Sequence, residues 1–223
     1  MTITLPAPPA LAIASGGSFP VGRIFCVGRN YAEHAKEMGD ATPEPPFFFI
    51  KPASTLLTEA TLAYPPRTAD LHHEVELVVA IGTGGADIPA NQAASHIHGY
   101  AVGLDMTRRD LQGAAKDKRR PWDMGKSFDG AAPVAPMVLA PDAGAINDAT
   151  ISLTVNGEVR QQGRIADMIW PVAAIIAELS TYMALQPGDL IFTGTPAGVG
   201  PVVRGDQLSA RIDGLPPLDI AIA

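Results

Sequence analysis

Proline and glycine cut this chain into short segments, with 21 Pro and 22 Gly spread over 223 residues. Pro lacks a backbone N–H and clashes with the preceding helical turn, and Gly in a helix interior costs about 1 kcal/mol relative to Ala. The chain must therefore build from short elements. Residues 24–28, 47–51, 71–81, 101–105 and 190–193 read as strands, and the last run follows a Gln-Pro-Gly-Asp turn at 186–189. Asn156-Gly157 inside 151–159 is a strong hairpin signal, and a final hairpin is expected around Asp213-Gly214. Ile165, Met168, Ile169, Val172, Ile175, Ile176, Leu179, Tyr182 and Met183 recur at spacings of three and four, as one buried helix face does. Pro171 places the regular helix from that point, with proline in its first turn. A second helix is expected over 29–38, before an exposed, breaker-rich loop at 39–46. No repeat or linker divides the chain. The expectation is an N-terminal extension, 1–20, and a single domain, 21–223. Its fold class is α+β with more sheet than helix, and a helix-crossed, barrel-like sheet would cover its many strand edges.

Composition narrows the partners. Hydrophobic residues make up 47% of the chain, enough for a full core, and the net charge is −7, which argues against nucleic acid. The apolar stretch at 171–177 is far short of the ~20 residues that span a bilayer. No Lys or Arg precedes Arg23, so a signal peptide's charged start is missing, and the lone Cys26 cannot form an internal disulfide. A soluble, cytoplasmic protein is expected, with Cys26 a small core residue. Only 17% of residues are charged, and they crowd between Asp105 and Asp129. There Arg108, Arg109, Lys116, Lys118, Arg119, Arg120 and Lys126 face Asp105, Asp110, Asp117, Asp123 and Asp129. The middle, Lys116 to Arg120, reads as a solvated face; the two ends read as lining a site for an anionic small molecule.

Glu74 and Glu76 lie two apart on an apolar strand, so they share a face with Cα atoms about 6.6 Å apart. Buried like charges repel unless a cation lies between them. Taken alone, the pair could equally be the polar face of an edge strand. Asp105 ends the apolar run GYAVGLD, where a carboxylate can also cap the following helix. Together the three make an oxygen-only ligand set that suits Mg²⁺ or Mn²⁺. His72, His73, His96 and His98 fit zinc poorly and read as structural. His34 and Glu37, three apart on a helix, could form a carboxylate-held general base or a plain surface pair. Arg109 and Gln112 share a helix face. Arg suits a bidentate grip on a carboxylate, and Lys126 is a compact charge for a developing oxyanion. The run 193–200 has no Lys and no following helix, so it is a poor phosphate loop.

FCVGRNYAEHAKEMG, FFIKPAST, LHHEVELVVAIG, GYAVGLDMTRRDLQ, PWDMGKSFD, VNGEVRQ and PGDLIFTGTPAGVGP occur in this order. In that series the chain, from Val21 onward, resembles the fumarylacetoacetate hydrolase family, specifically its small members. The resemblance implies a mixed, mainly β roll of that family's C-terminal domain type with a few helices, assembled as a homodimer. It implies that Glu74, Glu76 and Asp105 hold the metal and that His34 and Glu37 form a dyad on a lid helix. It further implies that Arg109, Gln112, Lys126 and Thr195 contact a substrate's oxo-acid end, with Arg29 or Arg108 on a distal carboxylate. TADLHHEVELVVAIG and TRRDLQ look most like the members that cleave fumarylpyruvate to fumarate and pyruvate, in gentisate breakdown. Two departures stand out. CVGRNY carries no carboxylate where the larger vertebrate member has an aspartate ligand, and Gly130 stands where that member has a threonine. Oxaloacetate decarboxylation, or isomerisation or decarboxylation of 2-hydroxyhepta-2,4-diene-1,7-dioate, could use the same site. A non-catalytic scaffold or small-acid sensor that retains the fold is the reading from another class.

Overall fold

The computed structural model describes residues 7–32 and 45–223. His34, Glu37, the remainder of the expected 29–38 helix from 33 onward and the loop to 44 lie outside the described residues. The expected start at 29 does not hold, because Arg29 takes a left-handed φ of 58° and Tyr31 bridges to Met168.

A six-stranded sheet organises the molecule. Its order is Val138–Leu139, Ile97–Leu104, Val75–Ile81, Asp189–Phe192, Arg23–Gly28, Phe47–Pro52. Neighbours are antiparallel except Asp189–Phe192 against Arg23–Gly28. A five-stranded sheet runs Glu158–Arg164, Thr150–Val155, Gln207–Ile212, Leu218–Ile222, Thr61–Leu62.

Period-two alternation feeds two cores from the central sheet. Val75, Leu77, Val79 and Ile81 meet Ile151, Leu153, Leu208 and Ile212 of the second sheet, with Ile175, Ile176 and Leu179 of the helix Val172–Tyr182. Val78 and Ala80 turn the other way, onto Cys26, Leu190, Phe192 and Met137. Leu11 and Phe19, from the hairpin of Ala10–Ala12 and Ser18–Pro20, enter this second core. With both faces covered, the central strands are mostly apolar, and Glu76 is the one carboxylate within Val75–Ile81. Each buried Val, Leu or Ile contributes about 1.5–3 kcal/mol relative to exposure. A carboxylate within such a strand therefore has to be held by strong local partners.

The α+β, mainly sheet architecture expected from the breakers is what forms, and Cys26 is buried in it. Asn156 and Gly157 take φ of 53° and 83° at the turn between Thr150–Val155 and Glu158–Arg164. Pro171 caps the helix Val172–Tyr182. Two strands differ from expectation. The strand read at 101–105 begins at Ile97, where His98 and Gly99 hide its apolar pattern. The run read as one strand at 71–81 breaks at Glu74. Leu71–His73 leaves the central sheet to pair with Thr107–Arg108 and Gly200–Val202. Its neighbour does the same: Ile97–Leu104 ends at Asp105 before Thr107–Arg108 begins. Glu74 and Asp105 thus sit side by side where two paired strands change sheets, joined by Asp105 N–H donating to the Glu74 carbonyl at 2.9 Å. No described helix is long and apolar enough to cross a membrane.

Candidate metal centre

Glu74, Glu76 and Asp105 are 5%, 2% and 1% exposed, and one oxygen from each lies within 4.8 Å of the others. Three carboxylates so placed cannot all stay charged without compensation. Burial, then Asp105 and Glu74, push the Glu76 carboxyl well above its ordinary range; the Gly194 N–H and Lys126 oppose this. Lys126 Nζ lies 2.9 Å from Glu74 Oε2 and 2.6 Å from Asp105 Oδ2. Arg109 Nη2 pairs with Glu74 Oε1, and Gly194 N–H donates to Glu76 Oε2 at 2.7 Å. Lys51, fully buried, brings its ammonium to 2.8 Å from Asp105 Oδ1.

These residues fit a hard divalent cation. The donors are all carboxylate oxygens, with neither thiolate nor imidazole in the cluster, which suits Mg²⁺ or Mn²⁺. Asp105 Oδ1 is buried and accepts no hydrogen bond, an expense a bound cation would remove.

A cavity opens over the centre. Arg109 and Gln112 line it from the helix Arg109–Asp117, where a spacing of three puts both on one face. Arg109 Nη1 donates to Gln112 Oε1 at 2.5 Å, so the two present a joint donor surface. Lys126 and Thr195 line the same cavity, and its apolar wall includes Phe47, Phe49 and Trp122. Arg29 reaches this wall with φ of 58°, its guanidinium 5.6 Å from the centre of the Phe47 ring. Arg108 does not line it. Its guanidinium lies over the Phe128 ring at 4.5 Å, with Nη1 3.4 Å from the Met124 carbonyl. Lys116 corrects the reading of 116–120 as merely solvated, because it is exposed and yet lines the cavity.

Four supporting residues escaped the sequence reading. Lys51 donates to the carbonyls of Met106, Lys126 and Ala131 at 3.1, 2.5 and 2.9 Å. A lysine in the middle of FFFIKP was the available signal. Gly194 has φ of 97°, and a Cβ there would lie 2.6 Å from Asn30 Cβ, so only glycine brings this N–H to Glu76. Asn30 in turn donates to the Thr193 and Trp170 carbonyls at 2.8 and 2.9 Å. Gln161 donates to Thr195 Oγ1 at 2.7 Å and accepts from Val75 N–H and His73 Nδ1. The described histidines make structural contacts. His73 is held by Gln161, His96 Nδ1 is 2.8 Å from the Thr83 carbonyl, and His98 stacks on Phe19 at 5.4 Å. His72 Nε2 lies 2.8 Å from Asp70 Oδ1, and Arg109 Nε points at its Nδ1 from 3.4 Å.

Known proteins resemble the chain over nearly its whole length. The family described as Fumarylacetoacetate (FAA) hydrolase C-terminal matches residues 23–223. A crystal structure of fumarylpyruvate hydrolase from Pseudomonas aeruginosa, in complex with Mn²⁺ and pyruvate, superposes with a TM-score of 0.97 at 50% identity. That match covers 100% of this chain and 99% of that one. A fumarylpyruvate hydrolase from Ralstonia sp is 47% identical over 184 residues, covering 82% of this chain and 95% of the relative. The oxaloacetate tautomerase YcgM of Escherichia coli (strain K12) is 44% identical over 198 residues, covering 88% and 90%.

Proposed function

Since the chain belongs to the fumarylacetoacetate hydrolase family, we propose that it is a divalent-cation-dependent acylpyruvate hydrolase. Its proposed reaction takes fumarylpyruvate and water to fumarate and pyruvate, in the cytoplasmic breakdown of gentisate. One observation carries this reading: the buried oxygen triad shares a cavity with Arg109, Gln112 and Lys126, donors suited to an oxo acid. The likeness to a fumarylpyruvate hydrolase that binds Mn²⁺ and pyruvate supports it, as pyruvate would be one of the two products.

Glu74, Glu76 and Asp105 would hold Mg²⁺ or Mn²⁺, which when bound supplies Lewis-acid stabilisation of the charge on the oxo-acid end. Arg109 and Gln112 fix the pyruvoyl carboxylate, and Thr195, anchored by Gln161, bounds its position. His34, oriented by Glu37, takes a proton from water as that water attacks the 4-oxo carbon. The C3–C4 bond then breaks, C4 leaves as a carboxyl group of fumarate, the electron pair goes to C3 as the pyruvate enolate, and a proton from solvent to C3 gives pyruvate. A base positioned this way contributes roughly 10²–10⁴ in rate. Lys126 places its ammonium beside the developing enolate charge. Of the two arginines, Arg29 lines the cavity and Arg108 does not, so Arg29 is the one placed to meet a distal carboxylate. A second copy would cover the apolar surface of Phe48, Ile50, Leu179, Tyr182 and Met183 beside the outer strand Phe47–Pro52, giving a homodimer.

The oxaloacetate tautomerase relative favours a second reading, in which the same site moves a proton on oxaloacetate and needs no attacking water. Steady-state kinetics on fumarylpyruvate and oxaloacetate separate the two. The hydrolase reading expects the larger kcat/KM for fumarylpyruvate and is lost if oxaloacetate wins by a wide margin.

A further inference from the structure

The path of the chain around the cavity gives its basic segment a position as well as a charge. The helix Arg109–Asp117 starts at the metal centre and reaches the cavity wall again at Lys116. After a turn, Trp122 re-enters the wall, and the short helix Asp123–Lys126 returns to the centre. Residues 118–121 are therefore tied at both ends to residues that line the cavity, which puts this turn on its rim. Backbone bonds from Arg119 N–H to the Lys116 carbonyl (3.0 Å) and from Arg120 N–H to the Ala115 carbonyl (2.8 Å) close it. Lys118, Arg119 and Arg120 are exposed. Among the described residues they form no ion pair. Residues 116–120 carry a net +3 within a chain of net −7.

We propose that this turn is an electrostatic collar that draws dianionic acids into the cavity in preference to monoanions. The proposal rests on the reading of the site as one for oxo acids, and not on which bond is broken there. Without such a local field, a chain of this net charge repels its own substrate, and repels a dianion twice as strongly as a monoanion. A cleft with low-dielectric walls focuses the field of charges at its mouth, and here Phe47, Phe49 and Trp122 supply such walls. Lys118, Arg119 and Arg120 touch neither the metal centre nor Gln112. Their contribution is long-range, so salt screens it: the Debye length is about 10 Å at 0.1 M and about 3 Å at 1 M.

The test is a triple variant, Lys118→Gln with Arg119→Asn and Arg120→Gln. Asn at 119 suits the left-handed φ of 52° there. In dilute buffer the variant should lose about 5–20-fold in kcat/KM on fumarylpyruvate, a dianion, while kcat stays within about twofold. On acetylpyruvate, a monoanion, the loss should be about the square root of that, roughly 2–4-fold, and both gaps should close in about 0.5 M KCl. Equal losses on the two acids, losses that persist in high salt, or no loss at all would overturn the collar. If the protein hydrolyses neither acid, the hydrolase reading fails by itself. The collar is then judged by calorimetric titration of Mn²⁺-loaded protein with pyruvate, a monoanion, and oxalate, a dianion. It stands if the variant loses more affinity for oxalate than for pyruvate in dilute buffer and both losses shrink in salt, and falls if the two losses match, persist in salt, or no binding is seen.

Discussion

Lys51 lies 2.8 Å from Asp105 Oδ1 yet gives it charge without a hydrogen bond. An ammonium has three N–H groups, and the carbonyls of Met106, Lys126 and Ala131 engage all three. The lysine thus pins the backbone on both sides of the centre while leaving one oxygen of Asp105 open to a cation. Lys51→Met keeps the length and removes the charge, stranding a buried carboxylate and three carbonyls. Unfolding in urea should show a loss of about 3–5 kcal/mol, typical of breaking a buried pair from one side.

Glu76→Gln separates stability from metal binding. The amide oxygen can still accept the Gly194 N–H, and the repulsion from Glu74 and Asp105 disappears. Scanning calorimetry should show a metal-free variant at least as stable as the parent, by about 0–2 kcal/mol. Mn²⁺ affinity should drop by roughly 10²-fold or more in a calorimetric titration, since a charged ligand has been replaced by a neutral one.

The raised Glu76 carboxyl also sets a pH dependence. In the metal-free protein Glu76 keeps its proton to a higher pH than it does in the unfolded chain. Between those two values the folded state binds more protons, so this group's contribution to stability falls as pH rises. Metal binding reverses the sign, because the ligand must be charged. Apparent Mn²⁺ affinity should rise by up to about tenfold per pH unit over the same window, with proton release detectable in buffers of different ionisation enthalpy.

Much of this centre could be read from spacing alone. Glu74 and Glu76 in an apolar run, with Asp105 ending another, pointed to an oxygen-only cation site, although an edge strand's polar face and a helix cap were open readings of the same residues. What stayed hidden is non-local. The break of the 71–81 run at Glu74 arises because its two halves pair with different sheets, a tertiary event that leaves the apolar pattern unbroken. Gly194 and Gln161 serve the site from more than 80 residues away through a backbone N–H and a side-chain amide, groups that carry no charge signature. Arg29 and Arg108 were equivalent as sequence; the Phe128 ring, which holds Arg108 aside, distinguishes them.

His34→Ala tests the division of labour between base and metal centre. Hydrolysis should slow by roughly 10²–10⁴ in kcat. Mn²⁺ titration should match the parent, since Glu74, Glu76 and Asp105 are untouched. Oxaloacetate turnover, which needs no attacking water, should fall less than hydrolysis. Equal losses on both substrates would assign His34 to binding instead.

The central claim is that three carboxylates brought together by two strands grip one divalent ion. Anomalous diffraction from crystals grown or soaked with Mn²⁺ measures this directly. One strong peak should lie among Glu74, Glu76 and Asp105, within about 2.0–2.3 Å of an oxygen from each. A peak elsewhere, or none at saturating Mn²⁺ with the three carboxylates turned apart, would contradict the account.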